Sequence, residues 1–476
     1  MARVHAFTDD VLGTLDAVGV AEALRRGDFS TLEAVEASIA RIEAVDPALG
    51  AMAYRTFDRA RIQARAPRAG FFAGVPTLIK DNTDVAGVPT RNGTDSYVMP
   101  PASRNGEMTK LLFKLGLLSL GKTQLSEFGF SGTAEHARLG AVRNPWDTGR
   151  VAGASSAGSG ALVAAGAVPM AHGNDGGGSI RIPAAACGLV GLKPTRDRLP
   201  QDPLYGLLPL KIVTDGVLTR SVRDTAAFFR EAEKAHHTSL RPIGDVTGPG
   251  SKRLRCAVFT GALGREASPE VAELTLKTAA VLEELGHTVE TVPPPVPETF
   301  ADDFVLYWGT LAVALVNAGP LRGKTWDRSR LDNLTVGLAQ HTLKNAKYVP
   351  AAIVRLRKAQ AIAEGFHAAY DVVLTPTVAH ETPEIGRLAP GQVYELVMKG
   401  LMDWVAFTPW QNVTGGPAVS LPIQQTLAGL PQGMMFGAAP GRERMLLELS
   451  YELEEAMGFA RIWEPGRGAE DPADLR

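Results

Sequence analysis

The first fifty residues carry apolar positions at helical spacing. Residues 16–26 lie between a candidate N-cap, Asp16, and Gly27, which predicts a short first helix. The segment Ser30-Thr31-Leu32-Glu33 is a capping box, which predicts that a second helix begins there and that Pro47 ends it. The second helix has one apolar face, made of Leu32, Val35, Ile39, Ile42 and Val45. The sequence therefore predicts an N-terminal cover of two amphipathic helices.

Short apolar runs alternate with helical patterns along the rest of the chain. Runs typical of buried strands occur at 75–79, 116–121, 188–192, 254–259, 288–292, 371–377, 418–423 and 434–437. Helical patterns occur at 109–115, 161–167, 221–231, 269–285, over most of 299–370, and at 442–457. This alternation predicts an α/β fold in which helices lie on both sides of a sheet. Loops are expected at 199–212, 236–252 and 293–297, and the tail after Trp463 is expected to be loose.

Composition and charge narrow the classes of function. The chain has 476 residues, of which 45% are hydrophobic and 21% charged, values typical of a soluble globular protein. Its net charge of −2 argues against binding to nucleic acid. Cys187 and Cys256 do not make a disulfide framework or a zinc site, so no metal or cofactor is predicted. Neither a signal peptide nor a membrane helix is predicted, because the longest candidate run, 161–171, is too short; we expect a cytoplasmic protein.

The stretch 153–195 is the first candidate for chemistry. It contains two Gly/Ser-rich segments, 153–160 and 175–179, on either side of an apolar run; each is called a Gly/Ser knot below. The three consecutive glycines 176–178 have no side chains, so their N–H groups can converge on one oxygen. Ser179 directly after them is a candidate nucleophile. Two flexible Gly/Ser loops are the alternative, because turns concentrate the same residues.

A second candidate is Lys80, which ends the apolar run 75–79 and precedes Asp81 and Asn82. Lysine is rarely buried unless it has a function or a partner. The alternative is a lysine at the end of a strand that reaches solvent. Taken without context, the sequence around Lys80 favours the lysine that reaches solvent.

Two other enzyme classes do not fit the motifs. The G-x-S-x-G elbow of α/β-hydrolases fails at Ser155, Ser156 and Ser179, and nothing in the sequence ties His172 or His380 to a serine. Neither G-x-x-x-x-G-K-[ST] nor a G-x-G-x-x-G between a strand and a helix occurs, so nucleotide binding is not indicated.

Taken together, these segments resemble the amidase signature family. The resemblance rests on GASSAGSG, DGGGSIRIPAAACG and GLKPT in that order, and on the spacing of Ser155 and Ser179. The segment GVPTLIKDN around Lys80 is similar to the family's catalytic-lysine segment. Further similar segments are GKTQLSEFG, VRNPWD, DVVLTPT, NVTGGPAVSLPI and GLPQGM, so the resemblance covers nearly the whole chain. It implies the amidase signature fold, a large mixed β-sheet core covered by helices on both faces.

The resemblance implies a catalytic triad. By this resemblance Ser179 is the acyl nucleophile, Ser155 is a bridging serine on a cis peptide bond, and Lys80 is the terminal base. A serine hydroxyl is a weak nucleophile and needs a proton acceptor. A lysine can accept that proton only if its pKa is lowered, which burial does.

The resemblance also implies an oxyanion hole, whose donors are the N–H groups of Gly176, Gly177, Gly178 and Ser179. Three residues are expected to support the two turns: Ser156, Asp175 and Arg181. The chain departs from the family pattern at Ala154, Ala157 and Gly176, and none of these changes removes a reacting group.

Within the family, HGNDGGGSIRIPAAACG and TPEIG are most similar to nylon-oligomer (cyclic dimer) hydrolases, related actinobacterial amidases and urethanases. The implied activity is hydrolysis of carboxylic amides, extending to esters, anilides and carbamates. The alternative is the A subunit of a glutamine-dependent tRNA amidotransferase, which has the same triad and needs partner subunits. The walls of the acyl pocket are predicted to include Tyr205, Trp308, Trp410, Gln411 and Asn412.

The resemblance implies a single domain, 1–476, with a catalytic core at about 70–225 and substrate-side insertions at about 199–212 and 296–370. The expected partner is a small-molecule amide, ester or carbamate. No nucleic acid and no membrane is expected to bind, and the chain is expected to be a monomer or a homodimer.

Overall fold

The computed structural model describes residues 3–206, 208–319 and 325–464. Within these ranges the helices are α1 (Ala17–Arg26), α2 (Thr31–Leu49), α3 (Phe57–Ala64), α4 (Glu107–Lys114), α5 (Ala157–Ala164), α6 (Arg181–Cys187), α7 (Pro203–Gly206), α8 (Val222–Ala235), α9 (Pro269–Glu284), α10 (Phe300–Ala318), α11 (Asn333–Lys344), α12 (Val349–Ala369), α13 (Tyr394–Trp404), α14 (Pro409–Thr414) and α15 (Glu443–Met457). The strands are β1 (Met52–Arg55), β2 (Pro76–Lys80), β3 (Leu118–Thr123), β4 (Glu135–His136), β5 (Gly140–Ala141), β6 (Arg143–Asn144), β7 (Asp147–Val151), β8 (Met170–Asp175), β9 (Val190–Lys193), β10 (Thr214–Thr219), β11 (Arg255–Val258), β12 (Gly261–Ala262), β13 (Arg265–Glu266), β14 (Thr288–Thr291), β15 (Val372–Pro376), β16 (Ala418–Gln425) and β17 (Pro431–Ala438).

A large sheet forms the centre of the fold. Among the described residues it has eight strands, in the order β14-β11-β15-β17-β16-β9-β10-β8. The strand β11 pairs in parallel with β14 and β15, and the other neighbours pair antiparallel, so the sheet is mixed. On β17, Phe436 packs in the core that contains residues of α8, α9 and α15, whereas Met435 Sδ accepts a hydrogen bond from Arg181 of α6 (3.3 Å). Successive residues of a strand face opposite sides, so helices cover both faces, and the predicted α/β fold is confirmed.

A smaller sheet of β1, β3 and β2 carries Lys80 at its rim. The strand β2 runs parallel to β3, and β1 runs antiparallel to β3. Beside it lies β8, the edge strand of the large sheet: Thr77 Oγ1 donates to Met170 O (3.0 Å), and the N–H of Lys80 donates to His172 Nδ1 (3.3 Å). The predicted strands at 75–79 and 116–121 are therefore present, in a separate sheet that places Lys80 against the edge of the large one.

The stretch 153–195 folds around α5, β8, α6 and β9. The prediction of a helix at 161–167 is wrong in its bounds, because α5 begins at Ala157 and ends at Ala164. Residue 158 lies inside this helix and is a glycine, because a Cβ there would overlap the carbonyl oxygen of Ala51. The second half of the first Gly/Ser knot, 157–160, is thus helix, and the second knot is the turn that joins β8 to α6.

The prediction that Pro47 ends the second helix is also wrong. The helix α2 continues past Pro47 to a left-handed cap at Gly50 (φ 61°), whose N–H donates to Asp46 O (2.8 Å). Pro47 has no N–H to donate, so it removes one hydrogen bond from the last turn of α2 without ending the helix there. The carboxylate of Asp46 then accepts from the N–H of Ala51 (2.8 Å), which fixes the exit of the chain.

Residues 299–370 are mostly helical and 199–212 is largely irregular, as predicted. Helices α10, α11 and α12 occupy most of 299–370, of which 320–324 lie outside the described residues. The segment 199–212 contains the short helix α7, and residue 207 lies outside the described residues. The tail beyond residue 464 also lies outside them, so the prediction for that tail is not addressed.

Candidate active site

The turn between β8 and α6 presents Ser179 at the floor of a cleft. Ser179 is nearly buried, with 8% of its surface exposed. Gly178 just before it adopts φ 133°, a conformation that favours glycine, and a Cβ there would overlap Thr408 Oγ1 and Ile182 Cδ1. The local sequence therefore allows a tight turn that no larger residue at position 178 would fit.

A buried carboxylate holds this turn together. Asp175 Oδ1 accepts from the N–H of Gly178 (2.7 Å), and Asp175 Oδ2 accepts from the N–H of Ile180 (3.2 Å). The guanidinium of Arg181 donates to both carboxylate oxygens, each at 2.9 Å, and both side chains are fully buried. Burial by itself would raise the pKa of Asp175, but the charge and hydrogen bonds of Arg181 hold it well below its usual range. Asp175 is thus ionised and serves as a brace.

We expect replacement of Asp175 by asparagine to destabilise the protein by about 3–5 kcal/mol, because it leaves the buried charge of Arg181 uncompensated. The midpoint of urea unfolding measures this loss. The matched control is Asp58→Asn, which breaks an ion pair with Arg61 (3.0 Å) whose carboxylate side chain is 96% exposed. The control should lose less than about 1 kcal/mol. An Asp175→Asn midpoint equal to that of the control would contradict the role of Asp175 as a brace.

Gln411 and Asn412 lie behind the turn that contains Ser179. Asn412 Oδ1 accepts from Arg181 Nη2 (2.6 Å), and Gln411 Oε1 accepts from Arg181 Nη1 (3.2 Å). Asn412 Nδ2 also donates to the backbone oxygen of Asp175 (2.9 Å). The two residues were predicted as pocket walls, but they are not among the residues that line the cleft; they support the Asp175–Arg181 pair from α14.

Lys80 and Ser155 form the other half of the site. Lys80 Nζ lies 2.7 Å from Ser155 Oγ and 2.6 Å from Asn174 Oδ1. Lys80 is fully buried, and Ser155 is 2% exposed. Burial lowers the pKa of Lys80 to about 7, against the opposing charges of Asp215 and Asp175. A neutral amine is therefore available near neutral pH, as a proton acceptor requires.

The backbone brings the two halves together. The peptide bond between Ala154 and Ser155 is cis. The N–H of Ser156 donates to Ser179 O (3.3 Å), and Ser156 Oγ donates to Asn174 O (3.3 Å). Ala154 and Ser179 both line the cleft. The residues predicted from the three motifs thus meet at one place, between the edge of the small sheet and β8.

The N–H groups of the glycine turn differ in how they are used. Among the described residues, the N–H groups of Gly176, Gly177 and Ser179 have no protein acceptor, whereas that of Gly178 donates to Asp175. The carbonyl of Gly177 accepts from Thr408 Oγ1 (2.5 Å), which fixes the orientation of the peptide that follows it. Of the four N–H groups predicted as oxyanion donors, three therefore have no acceptor among the described residues.

The cleft above Ser179 encloses about 600 Å³ of space, part of it open to solvent, and none of the described residues that line it is charged. The lining is mostly apolar: Phe130, Ile182, Leu263, Phe300, Phe304, Trp308, Leu338, Met398, Leu401, Met402, Val405 and Pro409. A Cβ at Gly177 would sit 3.3 Å from Trp308 Cζ3, so a glycine there lets the aromatic face of α10 approach the turn that contains Ser179.

Of the other predicted walls, Trp308 lines the cleft, but Trp410 and Tyr205 do not. Trp410 packs edge-on against Phe300 (5.3 Å between ring centroids) and lines a separate cavity behind α14. Tyr205 lies in α7, where burial and then the charge of Asp215 raise the pKa of its phenol.

Three residues of the site were missed as functional candidates in the sequence: Asn174, His172 and Asp215. His172 Nδ1 accepts from the N–H of Lys80 (3.3 Å), so His172 Nε2 carries the hydrogen and donates to Asp215 Oδ1 (3.0 Å). This histidine supports β2, the strand that carries Lys80, and forms no hydrogen bond with Ser179. The sequence feature that could have indicated these residues is the run of polar residues HGND in the buried strand β8.

The described ranges contain neither a candidate metal centre nor a candidate membrane span. No group of three or more His, Cys, Asp or Glu side chains there is arranged to hold a metal ion. No helix there is both long enough and apolar enough to cross a membrane.

Comparison with known proteins places the chain in a family. A family model described as Amidase matches residues 33–447. A chain of Mycobacterium leprae (strain TN) that carries the amidase name AmiC is 61% identical over 97% of this chain and 99% of its own length. The 6-aminohexanoate-cyclic-dimer hydrolase of Paenarthrobacter ureafaciens is 35% identical over 93% of this chain and 94% of its own.

Solved structures agree. The crystal structure of a bacterial aryl acylamidase of the amidase signature family superposes with a TM-score of 0.85 at 27% identity, covering 94% of this chain and 97% of that chain. The chain belongs to the amidase signature family. It is an amidase, a hydrolase that acts on the C–N bonds of amides.

Proposed function

We propose that the chain hydrolyses amides through an acyl-enzyme on Ser179, with Ser155 and Lys80 as the proton relay. The observation that carries this proposal is the fully buried amine of Lys80, which lies 2.7 Å from Ser155 Oγ. The turn that contains Ser179 adds three N–H groups that have no acceptor among the described residues. Burying a lysine costs stability, so a buried lysine without a carboxylate partner in direct contact favours a functional role. The serine beside it is the group it can serve.

The reaction divides into two half-reactions. Ser179 Oγ attacks the amide carbon and gives its proton to Ser155 Oγ, while the proton of Ser155 passes to Lys80 Nζ. The N–H groups of Gly177 and Ser179, with that of Gly176, stabilise the oxyanion. The C–N bond then breaks as the proton returns by the same route to the leaving nitrogen. A water molecule attacks the resulting ester by the same path, which releases the acid and restores Ser179.

The substrate class follows from the cleft. An uncharged, apolar acyl group fits a cavity lined by Phe304, Trp308 and Met402 and by no charged side chain among the described residues. The relatives named as a cyclic-dimer hydrolase and an aryl acylamidase support uncharged amides and anilides. The same acyl chemistry extends to esters and to carbamates, whose carbonyl carbons accept the same attack.

The alternative, a glutamine-dependent tRNA amidotransferase subunit, fits the cleft less well. Free glutamine carries an ammonium and a carboxylate, and each needs a partner when it is removed from water. The cleft offers no charged residue for either group within the described part of the chain. The proposal is therefore a single-domain amidase that acts alone, as a monomer or a homodimer in the cytoplasm, on small molecules.

The purified chain tested alone on a hydrophobic acyl p-nitroanilide and on glutamine separates the two functions. We expect turnover of the anilide and none of glutamine. In Trp308→Ala, kcat/KM for the hydrophobic anilide should fall about 10- to 100-fold, since an aromatic wall is lost, while that for acetyl p-nitroanilide should change much less.

The control for this test is Trp463→Ala, because Trp463 packs on Phe7 (4.1 Å between ring centroids) and is not among the lining residues. The ratio of the two kcat/KM values should stay unchanged in the control. Turnover of glutamine in place of the anilide would contradict the proposed substrate class, and equal losses on both anilides would contradict the placement of the acyl group against Trp308.

A further inference from the structure

The amine of Lys80 has two acceptors on one neighbouring residue. Lys80 Nζ lies 2.6 Å from the side-chain oxygen of Asn174 and 3.5 Å from its backbone oxygen, and the third contact is Ser155 Oγ at 2.7 Å. Asn174 is 5% exposed and lies on β8, one residue before Asp175. The amine is thus enclosed by two oxygens of Asn174 on one side and one serine hydroxyl on the other.

The side-chain amide of Asn174 is held with its oxygen towards the lysine. Asn82 Nδ2 donates to the same oxygen, Asn174 Oδ1, at 3.2 Å. On β8, Asn174 pairs with Asp215 of β10 in an antiparallel register, which fixes its backbone. An acceptor that receives two donors in this way has no reason to rotate its own NH₂ group towards Lys80.

The hydrogens and the lone pair of a neutral Lys80 amine point towards different neighbours in this arrangement. A neutral lysine has two hydrogens and one lone pair. An amide oxygen and a backbone oxygen can only accept, so both hydrogens of Lys80 are drawn towards Asn174. The lone pair is then left for the hydroxyl hydrogen of Ser155.

We propose that Asn174 is a positioning residue that turns the lone pair of Lys80 towards Ser155 and thereby sets the direction of proton transfer. This inference rests on the proposed function, because it assigns Lys80 the part of the base. Asn174 acts only through Lys80 and does not itself touch the reacting bond.

The neutrality of the acceptor is part of the inference. The groups that face Lys80 from the neighbouring elements are His172 and Asp175 on β8, Asp215 on β10 and Ser155. Two of these are carboxylates that already favour the charged form of Lys80. A third carboxylate in direct contact would keep the lysine protonated at neutral pH, whereas an amide orients the amine without adding charge.

The experiment compares Asn174→Asp, Asn174→Leu and Asn174→Thr. The rate at which a fluorophosphonate probe labels Ser179 is measured from pH 5 to pH 10, because this rate reports activation of the nucleophile without a natural substrate. Melting temperatures show whether each variant folds. The matched control is Asn317→Asp, which makes the same change at an exposed position on α10.

Asn174→Asp should move the rise of the labelling rate to higher pH by roughly one to three pH units, with recovery at alkaline pH. Asn174→Leu should move it to lower pH and lower the plateau about 10²-fold, because the amine is no longer oriented. Asn174→Thr offers a hydroxyl oxygen as acceptor and should restore most of the plateau relative to leucine. Asn317→Asp should match the wild type.

A purely structural role for Asn174 predicts equal losses in the three variants with the wild-type pH dependence, and that result would overturn the inference. A wild-type plateau in Asn174→Leu would overturn it too. If Ser179 of the wild type is not labelled at all, the proposed function has failed instead. If labelling follows the expected pattern while amides are not hydrolysed, only the substrate class has failed.

Discussion

Replacement of Ser179 by alanine is expected to lower amide hydrolysis by roughly 10⁵- to 10⁶-fold, because the acyl-enzyme cannot form. The fold should survive. The turn around Ser179 is held by hydrogen bonds from Gly178 and Arg181 to Asp175, none of which involves the hydroxyl of Ser179. Initial rates on a p-nitroanilide, together with the melting temperature, measure both expectations.

The control for this substitution is Ser239→Ala, at an exposed position outside the cleft, which should keep the wild-type rate. Loss of activity accompanied by a fall in melting temperature would make Ser179→Ala uninformative on its own, so the urea midpoint of both variants is compared with the wild type. Hydrolysis retained by a folded Ser179→Ala protein would exclude Ser179 as the nucleophile.

The second large effect is expected at Lys80. Replacement by methionine should lower kcat at neutral pH by at least roughly 10³-fold, because Ser155 loses its proton acceptor. In the wild type the rate should rise with pH through the pKa of Lys80, about 7, since only the neutral amine accepts a proton. The residual rate of Lys80→Met should lack this rise. A variant that kept both the wild-type rate and its pH dependence would place the base elsewhere.

Replacement of Lys80 by methionine is also expected to stabilise the protein, by an amount that depends on pH. In the unfolded chain Lys80 titrates near 10.5 and in the folded protein near 7, so between these values the unfolded state binds more protons. The free energy of unfolding therefore rises with pH across this window on account of Lys80. Replacement by methionine should raise the melting temperature at pH 7 and gain less at pH 10.

A second buried lysine provides the contrast. Lys122 pairs with the buried carboxylate of Asp81 (2.7 Å), so Lys122→Met leaves that carboxylate without its partner and should lower the melting temperature. Opposite signs for the two lysines are the expected result. A loss of stability in Lys80→Met equal to that in Lys122→Met would mean that Lys80 is a structural residue.

The parts of the site that lie on local motifs could be predicted from the sequence. The apolar run that ends at Lys80 is a buried strand, and the three glycines before Ser179 form a tight turn, as their lack of side chains requires. Local chemistry alone governs both features. The resemblance to a family added the pairing of Lys80 with Ser155, and the structure brings the two side chains into contact.

The strand β8 was not predicted, because its sequence lacks the residue types and the alternation that are typical of strands. The segment MAHGND contains the polar side chains His172, Asn174 and Asp175 and shows no alternation of apolar and polar positions. Its glycine, asparagine and aspartate are residue types depleted in strands. These side chains are buried because each has a partner elsewhere in the chain: Asp215 for His172, Lys80 for Asn174 and Arg181 for Asp175. Pairings of this kind are set by tertiary structure and leave no local pattern.

The pocket was predicted less well for the same reason. Gln411 and Asn412 reach Arg181 across more than two hundred residues of chain, so no local pattern reports that they face the back of the turn that contains Ser179. Trp308 does line the cleft, because Phe300, Phe304 and Trp308 recur at helical spacing and share one face of α10. Three more apolar residues of the lining, Met398, Leu401 and Met402, come from α13, a helix that the sequence analysis did not predict.

The acyl-enzyme itself provides the most direct test of the account. The wild-type chain is mixed with an ester of a hydrophobic acid, quenched in acid within milliseconds, digested and analysed by mass spectrometry. We expect the mass of the acyl group on the peptide that contains Ser179, and no adduct in Ser179→Ala. An adduct on Ser155 or on any other residue, or turnover in the burst phase with no adduct at all, would contradict the central claim that Ser179 attacks the substrate.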